Sequence, residues 1–109
     1  MADILNVKEL VEFEDFLNKN ENVIVKFSAS WCGPCKSMTN IIANLNDESL
    51  NDVSFIEIDV DEDEFAEVLT DYSVRNLPTF IFFKNKEAKD RKVGLVQANE
   101  MIDFVKNNM

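Results

Sequence analysis

The only two cysteines of this chain stand three residues apart, as Cys32-Gly33-Pro34-Cys35. A pair so close cannot lace distant loops together, so the fold is not a disulfide-stapled scaffold. A structural zinc site needs four thiolate or imidazole ligands, and the sequence contains no histidine. Only an intermolecular or mixed carboxylate site meets that count. A dithiol that cycles between reduced and oxidised forms fits the spacing directly. The missing histidine also removes imidazole catalysis and histidine-based switching near neutral pH.

What flanks the pair sets its chemistry. Val23-Ile24-Val25-Lys26-Phe27-Ser28-Ala29 reads as a buried strand, apolar and β-branched at its start. Beyond the pair, Met38, Ile41, Ile42 and Leu45 recur at one face of a helix. Cys32 therefore falls where a strand ends and a helix begins. Free backbone N–H groups and the positive end of the helix dipole meet there and favour a thiolate. Cys35 lies one helical turn further on and returns beneath it. The pattern predicts an exposed nucleophile and a covered second thiol. Pro34 is tolerated in a first helical turn, Gly33 keeps the approach open, and Trp31 offers an apolar wall to a partner. The alternative is two buried structural cysteines that happen to be neighbours.

With 109 residues and 46% apolar composition the chain supports one hydrophobic core, hence a single domain over 1–109. An amphipathic helix is predicted over Val7, Leu10, Val11, Phe13, Phe16 and Leu17. A second buried strand follows at Val53–Ile58, parallel to the first because a helix lies between them. Phe65, Val68, Leu69 and Tyr72 mark another helix, and Thr79–Phe83 another strand. Lys84–Lys92 reads as a charged turn, Lys92–Val96 as an edge strand, and Met101, Ile102 and Val105 as a last helix. The architecture is an α/β sheet with helices on both faces.

Charge and hydropathy exclude several roles. No apolar run approaches the ~20 residues that cross a bilayer. A net charge of −10 opposes binding to nucleic acid or to an anionic membrane. The start, Met1-Ala2-Asp3, lacks a basic-then-apolar leader, so a cytoplasmic location is expected.

Trp31-Cys32-Gly33-Pro34-Cys35-Lys36 is the active-site motif of the thioredoxin family as that family carries it. The resemblance runs along nearly the whole chain. Phe27-Ser28-Ala29 precedes the motif, Phe55–Asp61 is similar to the third strand, and Leu77-Pro78-Thr79 to the cis-proline loop. Phe82-Phe83-Lys84 and Val93-Gly94 resemble the final hairpin. The resemblance implies a mixed central sheet and a dithiol–disulfide exchange cycle, with no bound cofactor beyond the Cys32–Cys35 disulfide. Cys32 would attack a client disulfide and Cys35 would resolve the mixed intermediate. Gly33 and Pro34 would tune the couple towards reduction, since disulfide-forming relatives carry a histidine between the cysteines. Trp31, Leu77, Pro78 and Thr79 would receive the client, with Leu77 pairing its backbone as an added strand. Disulfide-containing proteins, an NADPH-dependent thioredoxin reductase and a monomeric state are the implied partners and assembly. A thioredoxin-fold binding module or subunit, with incidental redox activity, is the alternative.

The sequence leaves the family pattern at Lys26, where most members bury an aspartate. A lysine within a strand covered on both faces is unusual on any grounds. Its amine either snorkels out at the sheet end or sits near Cys35. Near Cys35, it would favour that thiolate and give a less reducing couple. Strand alternation sets Val53, Phe55 and Glu57 on one face, so Glu57 is the candidate partner, a charge-swapped version of the family's buried pair. Asn40 replaces a helix-kinking proline, and Lys86 replaces a hairpin glycine, so that turn is expected to differ. The Asp59–Pro78 segment is longer than usual, which predicts a lengthened third helix. Within it lie Asp59, Asp61, Glu62, Asp63, Glu64, Glu67 and Asp71. A calcium loop starting at Asp59 would place Glu64 where glycine is needed and Thr70 where glutamate is needed, so a solvated helix start is the reading.

Overall fold

The computed structural model describes residues 3–109. Met1 and Ala2, on which the reading of the leader partly rests, lie outside the described residues. Five strands, β1 (Ile4–Val7), β2 (Asn22–Ser28), β3 (Ser54–Asp59), β4 (Thr79–Lys84) and β5 (Glu87–Val93), form one sheet in the order β1-β3-β2-β4-β5. β3 pairs in parallel with both β1 and β2. β4 runs antiparallel to β2 and to β5, so the sheet is mixed. The helices are α1 (Leu10–Lys19), α2 (Gly33–Ala43), α3 (Ala66–Asp71) and α4 (Ala98–Asn108), with short 3₁₀ turns at Glu48–Asp52 and Asp63–Phe65.

Alternation along the central strands sorts the core into two halves. Ile24, Phe55, Phe80 and Phe82 pack with Met38 and Ile42 of α2 and with Met101, Phe104 and Val105 of α4. Val23, Val25, Phe27, Ile56, Ile58, Ile81 and Phe83 pack with Phe13 and Leu17 of α1 and with Phe65 and Val68 of the α3 region. Helices thus cover both faces, as the near-continuous apolar strands require.

Four expectations change. Val7 belongs to a short edge strand, not to the first helix, because pairing of Ile4–Val7 with Phe55–Ile58 outweighs local helical spacing. The charged segment after Lys84 is itself a strand: β5 spans Glu87–Val93, and only Lys92 and Val93 of the expected edge strand belong to it. An edge strand with solvated faces needs no apolar alternation, and its charges discourage edge-to-edge association. The β4–β5 hairpin turns on Asn85 and Lys86, whose φ angles of 51° and 72° are both left-handed. Two positive φ values define the type I′ turn that suits strand twist, here without glycine. Finally, the third helix is short. Tyr72 caps it, Ser73 takes a φ of 53°, and the N–H groups of Ser73 and Val74 return to the carbonyls of Thr70 and Leu69. That reciprocal closure stops the helix at Asp71.

Candidate active site

The parallel strands β2 and β3 end together at Ser28 and Asp59, and the Val60 N–H extends their ladder to the Ser28 carbonyl. Helix α2 starts from this edge. Cys32 is its N-cap residue, with Gly33 and Pro34 opening the first turn and the Cys35 N–H pointing at Cys32 Sγ over 3.2 Å. The missing N–H of Pro34 costs nothing there, because first-turn donors have no helical acceptor. Cys32 and Cys35 are joined by a disulfide, with Cα atoms 5.3 Å apart.

Both cysteines are buried, Cys32 at 5% exposure and Cys35 at 1%. The expectation of an openly exposed first sulfur is therefore corrected: Ala29, Val60 and Leu77 pack around the oxidised pair. The exposed group is Trp31, at 70%. Its indole Nε1 donates to Asp61 Oδ2 over 2.9 Å, which fixes the ring beside the disulfide.

The Leu77–Pro78 peptide is cis. Its loop is held by the Gly94 N–H, which donates to the Pro78 carbonyl, and by Thr79, buried and donating its hydroxyl to the Asn76 carbonyl. Trp31, Val60, Leu69, Val74, Arg75 and Leu77 line an adjoining hollow of about 240 Å³.

Lys26 lies in β2, hydrogen-bonded to the residue that carries the second sulfur. The amine does not snorkel, for the residue is 1% exposed. Its Nζ donates to the Cys35 carbonyl at 2.7 Å, to Thr39 Oγ1 at 2.6 Å and to Glu57 Oε1 at 2.6 Å. The β2–β3 register places Lys26 directly opposite Glu57. Glu57, Thr39 and Cys35 also line a cleft of about 320 Å³ that opens past Lys8, Asp59 and Glu62.

Sequence reasoning brought Cys32, Cys35, Trp31, Leu77, Pro78, Lys26 and Glu57 into view, and these lie around one end of the sheet. It missed Thr39, Asp61, Val60 and Arg75. Thr39 had a signal, since it stands four residues after Cys35 on the same helical face. Asp61 had none, because its link to Trp31 spans two segments that only the fold joins.

A cystine at the N-terminus of a helix, flanked by an exposed indole and a cis-proline loop, defines a thiol–disulfide exchange protein. Comparison with known proteins narrows the class. The thioredoxin family model matches residues 4–107. The chain is 36% identical over 104 residues to the thioredoxin of Rickettsia bellii, covering 95% of this chain and 97% of that protein. It is 32% identical over 101 residues to the thioredoxin of Mycoplasmoides gallisepticum, covering 93% and 98%. The solution structure of oxidised thioredoxin from Plasmodium falciparum superposes with a TM-score of 0.83 at 29% identity, covering 97% of this chain and 98% of that one. The chain belongs to the thioredoxin family, and it is a thiol–disulfide oxidoreductase acting as a protein-disulfide reductase.

Proposed function

We propose that the whole chain works as one monomeric, cytoplasmic electron carrier in which Cys32 attacks and Cys35 resolves. In the reduced protein the Cys32 thiolate attacks one sulfur of a client disulfide, and the client's other sulfur leaves as a thiolate and takes a proton. Cys35, having lost its proton, then attacks Cys32 Sγ. The mixed S–S bond breaks, and the client's second sulfur leaves with its electron pair and takes up the proton that Cys35 gave up. The Cys32–Cys35 bond forms, so two electrons and two protons have passed from the dithiol to the client. Reduction by an NADPH-dependent thioredoxin reductase returns the dithiol, so the chain shuttles electrons in redox homeostasis.

The observation that carries this reading is the cystine at the start of α2, where the helix dipole favours thiolate on the N-cap sulfur. Gly33 supports it by leaving open space where a side chain would stand, and Pro34 fits a first-turn position that needs no N–H. Clients would lie across Trp31 and the Leu77–Pro78 backbone, while Thr79 acts from beneath by fixing the loop.

Insulin reduction with NADPH and a thioredoxin reductase tests the assignment. Wild type should turn over, and Cys32→Ser should be inactive. Cys35→Ser should accumulate a mixed disulfide between Cys32 and the client, visible on non-reducing gels. Turnover by Cys32→Ser would overturn the assigned roles.

A further inference from the structure

Among the described residues, Lys26 is the only buried charged residue. An ammonium has three N–H bonds, and exactly as many acceptors surround this one: the Cys35 carbonyl, Thr39 Oγ1 and Glu57 Oε1. Every proton is directed, so the group sits as a fixed cation. Thr39 strengthens the arrangement by donating its own hydroxyl to the Cys35 carbonyl at 3.1 Å. Two of the three contacts therefore end on α2, on the residue that carries the second sulfur and on its neighbour one turn along. The third is placed by the ladder, because Lys26 and Glu57 are register partners.

The two charges differ in their setting. Lys26 is enclosed, whereas Glu57 faces the cleft with its side chain 24% exposed. Cys35 lines that same cleft. The other charged groups that line it are Lys8, Lys36, Asp59 and Glu62. Reduction of the disulfide leaves a thiol, and on deprotonation a negative charge, on Cys35, whose carbonyl the Lys26 amine holds and whose cleft Glu57 shares. The enclosed cation is poorly screened and acts more strongly than the solvent-facing anion.

We infer that the Lys26–Glu57 pair is a two-signed control on the redox poise of the cysteines, Lys26 stabilising the reduced form and Glu57 restraining it. Both are positioning residues; neither touches the client. The inference rests on the reading that the Cys32–Cys35 disulfide exchanges with thiols. In the test reaction two glutathione thiols reduce that disulfide. One S–S bond breaks and one forms, glutathione supplies both electrons, and its two protons pass to the two protein thiols. Stabilised thiolate shifts the equilibrium towards the reduced protein.

Equilibration of the full chain with reduced and oxidised glutathione reads the effect directly, without reductase or client. Lys26→Met should lower the equilibrium constant for reduction about tenfold, which corresponds to ~30 mV in the reducing direction. Glu57→Gln should raise it about threefold, in the opposite direction. Disturbed packing alone would not give shifts of opposite sign at partners in one ion pair. Should Lys26→Met fail to fold, the half-buried Glu57→Gln decides: a rise supports the control, while no rise overturns it. Where both fold, constants within twofold of wild type, or shifts of one sign, overturn it. A wild type that does not exchange with glutathione at all would defeat the underlying dithiol reading as well, which separates the two failures.

Discussion

Thr79 and Lys26 are polar side chains in the same core, and each is kept there by hydrogen bonds. The Thr79 hydroxyl has the Asn76 carbonyl, and the Lys26 ammonium has its three acceptors. Replacing Thr79 by valine keeps the shape but removes the donor. Thr79→Val is expected to cost about 1 kcal/mol in urea unfolding, since the stranded carbonyl loses its partner. A variant as stable as wild type would show that the hydroxyl does not hold the loop. At this scale the sequence was most legible where residue type and spacing were both unusual. The cysteine pair, the proline after Leu77 and the lysine inside a covered strand each break a local rule, and each lies at the site. Thr39 and Asp61 break none. Their importance comes from contacts across the fold, to the Lys26 amine and the Trp31 indole.

Elements were legible in proportion to how much their own residues bury. The central strands β2, β3 and β4 declare themselves by apolar runs, and α2 and α4 by their spacing. β1 and β5 do not, because both are edge strands whose pairing is supplied by neighbours far along the chain. The stop of α3 was equally hidden, since Ser73 closes the helix in a conformation for which serine is not built. Lys86 does the same in the β4–β5 turn. A glycine at either position relieves the clash of Cβ with the backbone. Ser73→Gly and Lys86→Gly should each stabilise the fold by about 1 kcal/mol, read as a higher urea midpoint at unchanged slope. A lower midpoint for either would mean that its side chain contributes more than its backbone costs.

The acidic segment also has element-level work that its composition alone concealed. Glu64 accepts the Leu10 N–H at 2.7 Å and so caps α1 from a distance, while Asp61 holds Trp31. A parallel device joins α4 to the 3₁₀ turn at Glu48–Asp52. Asp47 accepts the Ser49 N–H and then the Ser49 hydroxyl, with the Lys106 amine 3.4 Å away. These contacts, the Ser49 N–H foremost, hold the Asp47 carboxyl below the usual carboxylate range. A carboxyl lowered by folding adds stability above its unfolded value, and that share is lost as pH falls through the folded value. Asp47→Asn should therefore melt below wild type at neutral pH, and the gap should close on acidification beneath the carboxylate range. A gap that persists in acid would assign the effect to packing instead.

At the scale of the whole molecule, the net charge of −10 sets long-range behaviour while the fold sets local exceptions. Around the disulfide the signs are mixed: Asp61 sits under Trp31, Arg75 lines the hollow beside Leu77, and Lys36 follows Cys35. A client not yet in contact but within the Debye length, about 8 Å at physiological ionic strength, meets the sum more than these details. That sum attracts basic clients and repels acidic ones before any contact forms. Two synthetic peptides with the same cystine loop, one flanked by lysines and the other by glutamates, separate the terms. At low salt the basic peptide should be reduced faster, by about tenfold or more, because steering acts on encounter. Raising the salt should slow the basic peptide and speed the acidic one until their rates converge. Equal rates at low salt, or a preference that salt leaves untouched, would instead place client selection in the contacts at Trp31, Arg75 and Leu77.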